Sequence, residues 1–429
     1  MSTKPAVVAT TSEREKSQKI QWLGPGVIMA ASGIGASDII AATVAGASCG
    51  LPLLWALVVA AVAKYFLSEG IARWQLATGL TAIEGWARHL PRFVLWVFAA
   101  YLVLWAAAVS GALLGGCGLA IENITRGAVS RRWGGVAHGV LAFVLIWFAH
   151  GAVFARVVKP LIVLMFVGIV ACAAITIRDP LALMQGLLIP SIPAAGRAHI
   201  FSLIGGIGGS LTLLSYNYLL RDEGKVDARN LSVVRADLKI AYLFTAIFGI
   251  SVMLIAHRVF FIPGVTITDQ EAVSRMAAQL AEIVGPVGFY IYSIGFWAAV
   301  LASLFGVWQT IPRVFADCYS QLRSSPPQER EAAITAGSPA FRYALAFMAL
   351  VSVPFVLADR PLLIVIAFTI LGSALIPFLA ATLLYLNNRV GWTSRIGRNG
   401  FVTNSLLTLI LVLFLVVGGS EIFSLFRAP

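Results

Sequence analysis

The composition of this chain is that of a protein embedded in a lipid bilayer. Of its 429 residues, 59% are hydrophobic and only 12% are charged, and the mean hydropathy is +0.89. Soluble domains carry about a quarter charged residues, so the composition excludes a soluble protein. The net charge of +12 is spread over short loops. This distribution excludes a nucleic-acid partner and indicates membrane orientation.

Eleven apolar stretches are long enough to cross the roughly 30 Å of bilayer hydrocarbon. The predicted spans are residues 25–48, 51–72, 93–116, 135–155, 159–177, 200–220, 238–262, 285–312, 341–358, 362–387 and 402–424. About twenty mostly polar residues precede the first span, whose apolar stretch is too long for a signal peptide. We therefore expect an all-α integral membrane protein with eleven transmembrane helices.

The distribution of Lys and Arg predicts the orientation of these spans. With the N-terminus inside, the cytoplasmic segments hold 21 Lys and Arg and the outer segments hold 9. The positive-inside rule then predicts a multi-pass protein of the plasma (inner) membrane with a cytoplasmic N-terminus. We expect residues 1–23 to form a cytoplasmic N-terminal segment and residues 24–424 to form a single transmembrane domain.

Two similar stretches predict interruptions in the first and sixth spans. "GIGAS" covers residues 33–37 and "GIGGS" covers residues 206–210. Glycine permits non-helical angles, and a span in lipid unwinds only where protein or an aqueous cavity satisfies its backbone. The expected helix-break residues are Gly33, Gly35, Gly206, Gly208 and Gly209. The alternative interpretation is close packing of small residues between helices.

Breaks five spans apart predict an inverted five-plus-five repeat. The first repeat would cover about residues 24–178, the second about 199–388, and an extra helix about 402–424. Transporters built in this way bind their substrate near the membrane midplane, at the two discontinuous helices. A carrier is thus favoured over a channel. No nucleophile–base pair or metal-ligand cluster predicts an enzyme, and no cofactor is expected.

The opening stretch "GPGVIMAASGIGASDIIAATVAGASCGLPLLWALVVA" resembles the first two spans of the Nramp family of metal-ion transporters. That resemblance implies a LeuT-type fold and a metal site in the first and sixth spans. The site motifs themselves differ. The family's DPGN falls on residues 35–38, which puts Gly35 at its aspartate and Asp38 at its asparagine. Its GATxMPH falls on "GSLTLLS", which puts Ser210 at its alanine, Leu213 at its methionine and Ser215 at its histidine.

The residues that remain form an oxygen-only set of candidate ligands with one carboxylate. The candidate binding residues are Gly35, Ser37, Asp38, Ser210, Thr212, Leu213 and Ser215, together with carbonyl groups freed at the breaks. Such a set suits a hard cation that keeps some of its water, or a monovalent ion, and is a poor site for a dehydrated transition metal. A thioether, which this set lacks, would favour manganese or iron over calcium or magnesium. Asp38 could equally act as an N-cap of the second half-helix. An ionisable group at this depth nevertheless predicts a functional role.

Three charged residues of the second span invite separate interpretations. Glu69 and Arg73 are four residues apart, which predicts an ion pair at the inner end of the span and makes them a candidate gating pair. Lys64 is expected to extend its ammonium group towards the cytoplasm. The third span lacks the acidic residue of the family's proton route. No residue of this chain therefore supports proton coupling.

Three functional hypotheses follow. The first is a secondary-active, alternating-access transporter of a small inorganic ion, with a hard divalent cation such as magnesium as the substrate. The second is a transporter of a small anion such as bicarbonate coupled to Na⁺ or protons, because exposed half-helix N-termini attract anions. The third is a membrane sensor that does not transport. The expected partners are the ion, a coupling Na⁺ or proton and the lipid bilayer, and the chain is expected to be monomeric.

Overall fold

The computed structural model describes residues 24–148, 152–193, 196–261, 269–357 and 361–425. The regular elements of these ranges are helices, and no strands longer than one isolated bridge occur in them. The α-helices are α1 (Pro25–Gly33), α2 (Ala36–Cys49), α3 (Leu54–Thr78), α4 (Ala82–His89), α5 (Arg92–Ile124), α6 (Arg131–Phe148), α7 (Ala152–Thr176), α8 (Pro180–Leu188), α9 (Gly196–Gly206), α10 (Thr212–Asp222), α11 (Leu231–Phe260), α12 (Asp269–Val284), α13 (Pro286–Leu322), α14 (Pro327–Ile334), α15 (Pro339–Leu357), α16 (Pro361–Leu386) and α17 (Phe401–Leu425).

Every predicted span overlaps a helix or a pair of helices in the described ranges. By length and composition, six helices of the described ranges can cross a membrane, and the pair α1 and α2, bent by 59°, makes a seventh. The count of eleven spans remains a prediction, as do the repeat symmetry and the N-terminal orientation. Residues 1–23, expected to be cytoplasmic, lie outside the described residues.

Several helices differ from the predicted spans. Helix α11 begins at Leu231 rather than at 238, and α13 continues to Leu322 rather than ending at 312. In both helices the additional turns bury polar side chains such as Asp237 and Asp317, which hydropathy alone does not assign to a span. The short helices α4, α8, α12 and α14 lie in segments that were expected only to connect spans.

The two interrupted spans lie at the centre of the helical packing. Helix α1 packs against α10, α11 and α13, while α2 packs against α9 and α11. Helix α3 packs against α9, α10 and α11. The ends of α1 and α9, where the chain leaves its helical path, are therefore surrounded by protein. This arrangement supplies the partners that a broken helix requires within a membrane.

Candidate functional site

The first span is interrupted between Gly33 and Ala36. Helix α1 ends at Gly33, and α2 begins at Ala36 with Gly35 as its N-cap. Gly35 has extended backbone angles (φ −125°, ψ −164°), so the helical hydrogen-bond ladder stops here. The interruption predicted from "GIGAS" is confirmed.

The sixth span is interrupted between Gly206 and Thr212. Helix α9 ends at Gly206 and α10 begins at Thr212. Gly208 and Gly209 have φ values of +80° and +78°, in the left-handed region that glycine adopts at little cost. A side chain at either position would strain the backbone, which explains why both residues are glycine. The second predicted break is also confirmed.

The two breaks touch each other. A Cβ atom added to Gly33 would lie 2.8 Å from the carbonyl carbon of Gly208 and 2.8 Å from the amide nitrogen of Gly209. Real Cβ atoms do not approach backbone so closely. Only glycine at position 33 therefore allows the end of α1 to meet the unwound segment after α9.

Asp38 joins the two breaks through its carboxylate. One oxygen, Oδ2, accepts the amide N–H of Gly35 at 2.9 Å. Gly35 is the N-cap of α2, so Asp38 caps the helix from its third position and not as the N-cap residue expected from the sequence. The other oxygen, Oδ1, accepts the amide N–H of Gly208 at 2.8 Å. The side chain is only 4% exposed. Capping therefore explains one of these two hydrogen bonds, and the other holds the sixth span.

The expectation that Lys64 extends towards the cytoplasm is wrong. Lys64 on α3 has no exposed surface, and its Nζ donates to the carbonyl oxygen of Gly205 at 3.0 Å and to that of Gly209. Its charge is also attracted by Asp38. The ammonium group turns inwards because freed carbonyl groups and a carboxylate lie within its reach. Two of the carbonyl groups expected to hold an ion therefore hold Lys64 instead.

A small cavity with a largely apolar wall and several polar side chains adjoins the breaks. Its lining includes Ser32, Gly35, Trp105, Ser210, Thr212 and Ser303. It leaves about 10 Å³ for the centres of water-sized molecules, room for roughly one water. None of the described residues that line it carries a charge. In this conformation the cavity therefore holds at most a dehydrated ion or one water molecule, and a larger ion such as bicarbonate would require the cavity to widen.

Two hydrogen-bonding groups in the lining lack partners. Trp105 Nε1 and Thr212 Oγ1 are buried and have no hydrogen-bond partner within the described part of the chain. An indole N–H can only donate, whereas a hydroxyl can donate or accept. A buried polar group without a partner is costly, so both groups suit a ligand that enters the cavity.

The structure brings together only some of the predicted site residues. Gly35, Ser210 and Thr212 line the cavity. Leu213 and Ser215 lie outside its lining, and their assignment to the site remains a prediction. Leu213 is fully buried, and the Ser215 hydroxyl donates to Thr310 Oγ1 at 2.9 Å. Because α10 begins at Thr212, both residues lie on helical faces that meet neighbouring helices. The side chain of Ser37 lies outside the described residues.

The predicted ion pair of the second span is confirmed and belongs to a larger network. Arg73 Nε donates to Glu69 Oε2 at 2.7 Å, and Glu69 Oε1 also accepts from Arg235 Nη2 on α11 at 2.8 Å. Arg73 further donates to Asn399 Oδ1 at 2.7 Å, in the segment before α17. The network connects the C-terminal part of α3 to α11 and to the segment before α17. Its role as a gate remains a prediction.

The sequence analysis missed four residues of the site: Lys64, Trp105, Ser32 and Ser303. Lys64 had a usable signal, since a charge within an apolar span indicates function by default. Ser32 and Ser303 are linked by a hydrogen bond from Ser303 Oγ to the Ser32 carbonyl at 2.7 Å. Within the described residues, no three His, Cys, Asp or Glu side chains come together as a metal-binding group.

Comparison with known proteins agrees with this architecture. The model of the family described as "Natural resistance-associated macrophage protein-like" (Nramp) matches residues 26–424. The divalent metal cation transporter MntH of Klebsiella pneumoniae (strain 342) is 24% identical over 314 residues, which cover 70% of this chain and 73% of the relative.

Solved structures share the fold at low identity. A manganese transporter from Eremococcus coleocola superposes with a TM-score of 0.71 and 15% identity, covering 97% of this chain and 88% of its own. MhsT, solved in complex with L-phenylalanine, gives a TM-score of 0.62 and 15% identity, covering 94% of this chain and 99% of its own. With two broken spans at the centre of a LeuT-like fold and a family match over most of its length, the chain belongs to the Nramp family of membrane transporters.

Proposed function

We propose that this protein is a secondary-active transporter that carries a small inorganic ion by alternating access, with the ion bound in the cavity at the two helix breaks. The observation that carries the proposal is the contact between the breaks. Asp38 binds the amide groups of both Gly35 and Gly208, beside a cavity with unpartnered polar groups. Paired broken helices form the substrate site in transporters of this type.

The first candidate substrate is a divalent metal cation, as the name of the MntH relative suggests. The available ligands favour a hard cation such as magnesium. Leu213 replaces the thioether that the family resemblance implies, and the lining offers the hydroxyl groups of Ser32, Ser210, Thr212 and Ser303. A thioether ligand favours manganese and iron over magnesium and calcium, and a leucine at that position removes this discrimination. We therefore expect weak transport of manganese and iron.

The second candidate is a small anion such as bicarbonate, which two observations favour. Lys64 balances the charge of Asp38 at the breaks, and Trp105, which lines the cavity, has an unpartnered indole N–H. A cation gains nothing from an N–H donor, whereas an anion accepts a hydrogen bond from it. Helix α10 also begins at Thr212, so the N-terminal end of a helix borders the cavity.

Flux into proteoliposomes separates these candidates. Vesicles that contain the purified protein are loaded with a metal-sensitive dye in one experiment and with a pH reporter in the other. Influx of Mg²⁺ that exceeds influx of Mn²⁺ supports the first candidate, and bicarbonate-dependent alkalinisation supports the second. Protein-free vesicles are the control. Mn²⁺ uptake with micromolar affinity would contradict the argument from Leu213. No flux in either experiment would favour the non-transporting sensor.

A further inference from the structure

The surroundings of Lys64 have the chemistry of a cation site. The ammonium group donates to two carbonyl oxygens, one from Gly205 in the last turn of α9 and one from Gly209 in the unwound segment. Asp38 provides a negative charge nearby. Carbonyl groups at the C-terminal end of a half-helix, unwound carbonyl groups and a carboxylate are the ligands that coupling cations use in transporters with broken helices.

Lys64 meets the requirements for occupying such a site from within the chain. It lies on a third helix, α3, and has no exposed surface, so the ammonium group is held by protein on all sides. The ammonium of lysine is a compact charge with three donors on a flexible stem of four carbon atoms. It can therefore replace a monovalent cation in both charge and coordination, while the stem prevents it from leaving.

We propose that Lys64 is a tethered cation, whose ammonium group permanently fills a monovalent-cation position formed by the Gly205 and Gly209 carbonyls near the charge of Asp38. The inference deepens the proposed transport function, because it assigns the cation position to the chain itself and leaves the neighbouring cavity to the transported ion. Transport then needs no free Na⁺ at this position, and the pair of Asp38 and Lys64 contributes no net charge to the site.

The consequence is a position that opens to free cations when Lys64 is shortened or made apolar. In Lys64→Ala and Lys64→Met the two carbonyl groups lose the ammonium group that they bind, and Asp38 loses a nearby positive charge. We expect Na⁺ to bind in its place and to stabilise these variants. If Lys64 is only a structural bridge, its loss destabilises the protein equally in every salt.

The test is thermal unfolding of the purified full-length protein in NaCl, KCl or choline chloride at equal ionic strength. For Lys64→Ala and Lys64→Met we expect Na⁺ to raise Tm by about 3 °C or more over choline, which is too bulky to enter. Wild type and Lys239→Met, which removes an exposed lysine of α11, should give the same Tm in all three salts. Equal Tm values for the Lys64 variants in NaCl and choline would overturn the proposal.

A double variant keeps the test valid if the single variants fail to fold. Lys64→Met combined with Asp38→Asn removes both charges, so neither is left buried alone. We expect it to give more folded protein than Lys64→Met and to show no response to Na⁺. A yield no better than that of Lys64→Met would contradict the charge pairing. These measurements require no transport, so their failure is distinguishable from a failure of the proposed function.

Discussion

The Asp38 carboxylate on α2 accepts a 2.8 Å hydrogen bond from the amide of Gly208, which lies 170 residues later in the chain. The same carboxylate caps its own helix through the amide of Gly35. One side chain therefore holds the interruptions of two spans against each other. Any motion that opens the site must either move the two breaks together or release this contact.

Replacing Asp38 by Asn should reduce both transport and stability. Asn retains an acceptor for one amide but removes the charge opposite Lys64. Loss of a cap alone costs about 1 kcal/mol. We expect a larger loss, of roughly 3 kcal/mol or more, because Lys64 is left buried without its counter-charge. Proteoliposome flux should fall by about tenfold or more, the effect of losing roughly 1.4 kcal/mol of ion binding.

Thermal unfolding and flux of Asp38→Asn are measured together with Asp227→Asn. Asp227 pairs with Arg229 at an exposed position, so its replacement should leave both properties unchanged. Wild-type flux by Asp38→Asn, together with a loss of only about 1 kcal/mol in the free energy of unfolding, would show that Asp38 serves only as a helix cap.

Replacing Gly33 by Ala should separate the breaks. The added methyl group would meet backbone atoms of Gly208 and Gly209 at 2.8 Å, and backbone cannot rotate away as a side chain does. We expect a loss of roughly 1–3 kcal/mol in the free energy of unfolding, the cost of overpacking, and loss of flux. Gly115→Ala is the matched control, since a Cβ on Gly115 meets no atom within 4 Å. Normal flux by Gly33→Ala would show that the contact between the breaks is not required.

Replacing Thr212 by Val tests the unpartnered hydroxyl group of the cavity. Valine keeps the shape but removes a buried polar atom that has no partner among the described residues. We expect unchanged stability, or a gain of up to about 1 kcal/mol, together with a raised KM for ion uptake.

Thr310→Val is the contrasting control, which should lower stability without changing KM. It leaves Ser215 Oγ without its acceptor and so lowers the free energy of unfolding by about 1–3 kcal/mol, with KM unchanged. An unchanged KM for Thr212→Val would remove this hydroxyl from the site.

Replacing Glu69 by Gln tests the candidate gating network. Glu69 is buried and accepts from Arg73 and Arg235, so the neutral amide leaves two guanidinium groups underpaired. We expect a loss of roughly 3 kcal/mol or more in stability and a lower maximal rate of uptake with unchanged KM. Glu331→Gln, at an exposed position of α14, is the control. A lower Tm with an unchanged rate would reduce the network to a structural role.

The sequence predicted the parts of the site that depend on local backbone. Two glycine-rich interruptions and an aspartate at the start of a half-helix have signatures within a few residues, and the structure places Gly33, Gly35, Asp38 and Gly208 at the breaks. Hydropathy is likewise a local property of the sequence, and it predicted where most of the long helices lie. The alignment with the family's site motifs says less about the cavity. It placed Leu213 and Ser215 at the site, but neither residue lines the cavity.

The missed features depend on packing between distant helices. Whether Lys64 turns outwards or inwards is decided by the Gly205 and Gly209 carbonyls, which lie 141 and 145 residues later in the chain. The exposure of Trp105 to the cavity likewise depends on which face of α5 meets the breaks. Helix α12 was not predicted because Asp269–Val284 is amphipathic and too polar to be recognised as a span.

The central claim, that the transported ion occupies the cavity at the breaks, is tested most directly by flux through Gly35→Leu. Gly35 lines the cavity, and a Cβ there would lie 3.0 Å from Ser303 Oγ and 3.2 Å from a methyl carbon of Leu113, so a leucine side chain would fill it. Proteoliposomes report Mg²⁺ uptake or bicarbonate-dependent alkalinisation, whichever the wild-type protein supports, with Gly115→Ala as the control. We predict that Gly35→Leu is recovered as folded protein and carries no flux, and wild-type flux by folded Gly35→Leu would contradict the account.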